Sequence, residues 1–140
     1  MKCSTHAYYR LNVNETGFLE VSVFDDNNIP IPNAVVTIAK ISYTGLYNET
    51  AEGEILAEFF TDNNGKLHIE LPILNDLIGN NAFYSAQIVK EGYYNTFIYY
   101  IQIYPNIHTI YDVYMSQRIE GHPEKLRFFF QPKRGTIHLH

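Results

Sequence analysis

The sequence predicts an all-β fold, an antiparallel sandwich, on three observations. Leu67, Ile69 and Leu71 alternate with Lys66, His68 and Glu70, the cleanest period-two pattern in the chain. Strand side chains point to opposite faces, so this pattern sends the aliphatic set into a core and the polar set into water. Turn signals recur roughly every 8–12 residues, the spacing of a sandwich rather than of alternating strands and helices. Aromatic residues make up 15% of the 140 residues and charged residues only 18%, which favours strands over disorder.

The elements follow in order. Residues 1–16 read as an N-terminal extension, with Ala7–Val13 a candidate edge strand. The body spans 17–115. Phe18–Phe24 is its first strand, with Leu19, Val21 and Val23 on the core face opposite Glu20 and Ser22. Asp25–Asn28 is a turn. Ile29–Asn33 carries two prolines, which lack a backbone donor, so it belongs at a sheet edge or between sheets. Ala34–Ile41 is a strand rich in β-branched residues, and Tyr43–Glu54 reads as a polar loop.

Ile55–Leu71 reads as a hairpin pivoting on Thr61-Asp62-Asn63-Asn64-Gly65, with Asn64 and Gly65 suited to positive φ. Pro72–Asn81 breaks the pattern as a helical turn or a capping loop. Tyr84–Lys90, Asn95–Tyr104 and Thr109–Met115 complete the body, and Ile88 joins Val36, Ile38, Phe59, Leu67 and Ile69 in the expected core. The tail, 116–140, holds Arg118, Lys125, Arg127, Lys133 and Arg134 and two short strands around a Pro132–Gly135 turn. Phe128, Phe129 and Phe130 need cover, so the tail should add an extra strand pair to a sheet edge, its own or that of a second copy in a dimer.

The formal net charge of -5 argues against a nucleic-acid groove and against a polybasic membrane anchor. No apolar run has the length of a signal peptide or a bilayer span, so the chain as written reads as cytoplasmic or spore-associated with no export signal. Cys3, the single cysteine, has no internal disulfide partner.

Candidate sites are few. Tyr94, Tyr100 and Tyr104 share one parity between Tyr93 and Tyr104, an arrangement that would form an exposed strip for stacking on sugars or for protein contact. Cross-strand aromatic pairing accounts for the same residues without a ligand. On that parity count, Tyr93, Phe97, Tyr99, Ile101 and Ile103 face the core. His138 and His140, two apart, would place both imidazoles on one side of a strand, a spacing suited to a metal ion, although a chain end is a poor place for a preorganised site. His6, His68, His108 and His122 are the remaining histidines that a fold might bring near. The oxygen-rich Asp25–Asn28 and Asp62–Asn64 clusters lack calcium-loop spacing and suit turns. Nucleophile elbows and glycine-rich phosphate loops are absent, and no cofactor is expected.

In their order, Gly17–Val23, Pro30–Ile38, Thr61–Gly65 and Glu91-Gly92-Tyr93 resemble the carboxypeptidase regulatory-like domain, one of the transthyretin-like (prealbumin) sandwiches. With Ile101–Pro105 before the last strand, the chain resembles single-domain forms found in spore-forming Gram-positive bacteria. The resemblance covers roughly residues 17–115. It implies a seven-stranded Greek-key sandwich acting as a non-catalytic interaction or structural module of a spore or cell-wall assembly, bound to a protein or a wall polymer. The rivals are a carbohydrate- or peptidoglycan-binding domain using the tyrosines, and a metal-dependent enzyme using the histidines. Pilin and adhesin repeats of similar fold cross-link a first-strand lysine to a last-strand asparagine; Gly17–Phe24 has no lysine and Thr109–Met115 no asparagine, so that bond is not expected.

Overall fold

Two β-sheets pack face to face in the computed structural model, which describes residues 15–44, 46, 47, 49–74 and 82–132, together with the backbone of 138 and 139. The expected Ala7–Val13 edge strand and most of the Pro72–Asn81 segment lie outside the described residues. The strands are β1 (Thr16–Asp25), β2 (Val35–Thr44), β3 (Thr50–Phe60), β4 (Lys66–Pro72), β5 (Ala82–Val89), β6 (Thr96–Ile101), β7 (Ile107–Met115), β8 (Arg127–Phe129) and β9 (His138–Leu139). One sheet has the order β4-β1-β7-β9 and the other β3-β2-β5-β6-β8. The seven-stranded all-β body is as the sequence predicts; among its antiparallel pairs, β1 and β7 run parallel.

The core lies between the sheets. Leu19, Val21 and Val23 of β1 meet Val36 and Ile38 of β2, Ile88 of β5, Ile98 of β6 and Val113 of β7, all fully buried. Phe59, Leu67 and Ile69 pack against this cluster from its margin. Burying each such aliphatic side chain contributes roughly 1.5–3 kcal/mol, which fixes the phase of every strand.

The expected Ile55–Leu71 hairpin is not one. β3 pairs with β2 and β4 with β1, so the turn carries the chain from one sheet to the other. Its two ends are tied to opposite sheets. Thr61 is buried; its N–H donates to the Ala34 carbonyl, its hydroxyl donates to the Ile31 carbonyl and also accepts from the Ala34 N–H. Four residues on, the Gly65 carbonyl accepts from Val23 N–H. Gly65 has φ +72°, and a Cβ there would lie 2.6 Å from the Val23 carbonyl oxygen, so only glycine fits. Asn64 does not share the positive φ. A period-two pattern states which face a strand buries, not which strand it pairs with.

Three other expectations change. β2 and β3 continue to Thr44 and from Thr50, so most of the Tyr43–Glu54 loop is a strand pair. Residues 50–56 are exposed on both faces, Ile55 and Leu56 among them. A bulge between Ile38 and Ala39 makes Leu56 the extra residue of β3, and Ile55 is 75% exposed. The two tail strands form no hairpin: β8 adds parallel to β6, and β9 antiparallel to β7, on opposite sheets of the same chain.

The two oxygen-rich clusters are turns, built alike. Asp25 Oδ1 accepts the N–H groups of Asn27 and Ile29, and Asp62 Oδ1 those of Asn64 and Lys66. In both, one carboxylate oxygen satisfies two turn amides.

Candidate functional site

The outer face of the five-stranded sheet carries a second, aromatic layer. Phe83 of β5 is 1% exposed although it faces away from the core. It is roofed by Tyr43 of β2 and by Tyr99 and Tyr100 of β6, with ring centroids 5.6, 5.2 and 4.5 Å away. The Tyr43 and Tyr99 hydroxyls lie 3.0 Å apart, and this hydrogen bond, together with burial, holds the Tyr99 phenol above its ordinary pKa. The layer continues onto the tail. Phe128 stacks on Phe97 at 5.3 Å, and Phe130 meets Tyr99 edge-on at 6.0 Å. Phe129, between them, packs against the core. One ring turns inward and two outward, as the alternation of a short strand demands.

A bulge decides which tyrosines face out. Tyr84 of β5 pairs with Ile101, but Ala86 pairs with Ile98, so Tyr99 and Tyr100 together oppose Ser85. Tyr100 takes up the extra residue with φ 66°. The parity expected from sequence is therefore reversed before the bulge, for Tyr94, Phe97 and Tyr99, and holds after it, for Tyr100, Ile101, Ile103 and Tyr104. Tyr94, Thr96 and Ile98 are buried before the bulge, and Ile101 and Ile103 after it, while Phe97 and Tyr99 lie on the outer face.

The expected strip of Tyr94, Tyr100 and Tyr104 is therefore divided. Tyr94 is 2% exposed, beneath the tail: Arg118 lies over its ring at 5.3 Å, and its hydroxyl oxygen accepts the Ile119 N–H. Tyr100 and Tyr104 are 50% and 43% exposed and line one cleft of about 290 Å³ with Tyr111, Phe130, Gln102 and Thr109. The cleft enters where β6 of one sheet hands the chain to β7 of the other. Gly17 of β1 lets this connection lie close against it, since the Tyr104 carbonyl occupies the space a Cβ on Gly17 would need. At the cleft floor Tyr111 is buried, which pushes its phenol up to about 12, with Tyr104 adding a smaller effect. The buried Thr109 hydroxyl has no hydrogen-bond partner among the described residues. Aromatic walls with amide side chains at the rim suit a ligand that is flat and apolar on one face and hydroxylated at its edge.

The side chain of His138 and all of His140 lie outside the described residues; the backbone of His138 is the register partner of His108. Glu52 and Glu54 are exposed on edge strand β3, where charge discourages pairing with other chains. No helix among the described residues is long and apolar enough to cross a membrane.

No family model matches the chain, and no curated protein matches it. Solved structures share its fold. The shaft pilin SpaA from Lactobacillus rhamnosus GG is similar with a TM-score of 0.54 and 14% identity, over 74% of this chain and 51% of that one. The 3-chlorocatechol 1,2-dioxygenase of Rhodococcus opacus 1CP is similar with a TM-score of 0.51 and 14% identity, over 74% and 61%. The catechol 1,2-dioxygenase of Acinetobacter radioresistens is similar with a TM-score of 0.51 and 13% identity, over 83% and 57%. At these identities the likeness is one of fold, an immunoglobulin-like or transthyretin-like sandwich, and the chain spans less than two thirds of each of these proteins.

Proposed function

We propose that this chain is a non-catalytic β-sandwich interaction module, of the carboxypeptidase regulatory-like kind, that binds a saccharide of a cell-wall or spore surface through its outer aromatic layer. The observation that carries the reading is the half-exposed pair Tyr100 and Tyr104 at the mouth of a cleft floored by Tyr111 and Thr109. Non-glycine residues at positive φ are uncommon and gather at functional sites, and Tyr100 presents its ring from such a backbone. Sugar rings stack their C–H faces on such aromatics, and their hydroxyls would reach Gln131 at the cleft rim. A homodimer exchanging residues 116–140 belongs to the same proposal, since the open edges of β6 and β7 that receive the tail exist equally on a second copy.

Sedimentation with insoluble peptidoglycan, and NMR titration with soluble wall fragments, test the reading. Tyr100→Ala and Tyr104→Ala are each expected to weaken binding about tenfold, the loss of one aromatic contact of ~1.4 kcal/mol. Phe24→Ala, which removes a ring stacked on Tyr114, is expected to leave binding unchanged. Equal binding by all three variants, or none by the native chain, would overturn the proposal.

A further inference from the structure

The opposite outer face, on the four-stranded sheet, is chemically different. In the β1/β4 register Glu20 lies directly opposite His68, and in the β1/β7 register Phe18 lies opposite His108. Three adjacent strands thus bring a carboxylate and two imidazoles to one spot. Glu20 Oε2 is 2.9 Å from His108 Nδ1 and 4.0 Å from His68 Nε2, and one ligand atom from each residue lies within 4.8 Å of the other two. The imidazoles are nearly parallel, 8° apart with centroids at 5.2 Å. Phe18 lies against both, its ring 4.6 Å from His108 and 5.5 Å from His68.

We propose that Glu20, His68 and His108 form a binding site for a divalent transition-metal ion of the zinc type. The donor set carries the assignment. Two imidazole nitrogens and one carboxylate suit zinc, copper or nickel, whereas calcium and magnesium take oxygen ligands. Bonds of about 2.0–2.2 Å in a tetrahedral site place ligand atoms roughly 3.3–3.5 Å apart. The spacings here bracket that value, and closing the wider ones takes a movement of about 1 Å. The freedom for it lies in His68, whose side chain is 51% exposed, while His108, at 22%, is the more firmly seated. The backbones need no adjustment, because both ladders already hold the three strands in register. Phe18 supplies an apolar wall that limits the tilt of both rings, the supporting role such neighbours play around metal ligands. Three protein ligands leave a fourth position for water or for an oxygen atom of a bound molecule.

A simpler arrangement, in which Glu20 only accepts hydrogen bonds from protonated histidines, makes the opposite prediction: the cluster would bind protons and no metal. The full chain, stripped with chelator, is titrated with zinc by calorimetry and with cobalt by visible absorption. Expected are one zinc per chain, the d–d bands of a four-coordinate cobalt site, and an affinity that falls as pH drops through the histidine range, since each imidazole must shed its proton to bind. His68→Asn and His108→Asn are expected to abolish the cobalt bands, and Glu20→Gln to weaken zinc at least tenfold. All three positions face away from the core, so the metal-free variants are expected to melt within a few degrees of the native chain, which separates lost binding from lost folding. Zinc binding that survives His68→Asn together with His108→Asn, or its absence in the native chain, would overturn the site. His138→Asn with His140→Asn places the terminal histidines in the same assay; binding abolished by that pair and intact in the Glu20, His68 and His108 variants would move the site to the chain end and refute this one.

Discussion

The two outer faces of the sandwich differ as much as the two inner faces agree. Inward, both sheets present aliphatic side chains, Leu19, Val21 and Val113 from one and Val36, Ile38 and Ile98 from the other. Outward, the five-stranded sheet carries Tyr43, Phe97, Tyr99 and Phe128 in a continuous aromatic layer, and the four-stranded sheet carries Glu20, His68 and His108 around the ring of Phe18, with Phe24 stacked on Tyr114 farther along. Core packing asks only for volume and apolarity, so many sequences satisfy it in the same way. The outer faces are under no such demand. Their differing chemistry is what the two binding proposals rest on, a saccharide on one face and a metal ion on the other.

The contrast can be broken first at its largest step, from an inner to an outer residue of the same strand. Leu19→Ala leaves a cavity in a fully buried position and is expected to cost about 2–5 kcal/mol. Glu20→Gln, the next residue, is expected to change stability by less than about 0.5 kcal/mol. Denaturant unfolding measures both. A costly Glu20→Gln or a mild Leu19→Ala would mean that β1 is one residue out of phase.

How much of this was legible beforehand follows the same division. Inner faces announce themselves, because alternation in β1, β2 and β4 is strict and a one-residue slip would move every apolar side chain into water. Pairing does not. The same alternation made Ile55–Leu71 resemble a hairpin, since nothing local in Thr61–Gly65 records that its two ends are bonded to different sheets. The Tyr100 bulge inverted the parity of the residues before it, Tyr94, Phe97 and Tyr99, for a related reason: an extra residue is visible only against the strand it fails to match. Tyr100 and Tyr104 could be found from composition and spacing, while the burial of Tyr94 depends on where the tail returns. Glu20 carried no signal of its own. Only the registers of β1 with β4 and β7 set it beside two histidines 48 and 88 positions away.

The second test is titration of the cleft floor. Burial raises Tyr111 to about 12, and the same cause raises Tyr84, whose hydroxyl donates to the Pro72 carbonyl. A folded pKa above the unfolded value means the native state holds its proton longer. The stabilisation is fully present below the unfolded value of about 10 and is lost as pH rises through 12. Melting temperature is therefore expected to fall across that interval, and Tyr111→Phe, which has no proton to lose, to flatten the fall. Equal slopes in the native chain and Tyr111→Phe would place Tyr111 in water.

The smallest step lies within three residues of the tail. Phe129 packs on the core, whereas Phe128 and Phe130 are 50% and 55% exposed on the outer layer. Phe129→Ala removes a ring from an apolar interior and is expected to cost about 2–3 kcal/mol, somewhat less than a fully buried site because the ring sits at the core margin. Phe128→Ala removes a stacked contact with Phe97 that remains open to water on its other side, and is expected to cost about 0.5–1.5 kcal/mol. A double-mutant cycle with Phe97→Ala should recover most of that smaller figure as coupling, since the two rings meet across the parallel β6–β8 pair. The order of the two costs is the sensitive quantity. If Phe128→Ala proves the more damaging, β8 is displaced by one residue, Phe129 faces outward, and the aromatic layer ends at β6 instead of continuing onto the tail.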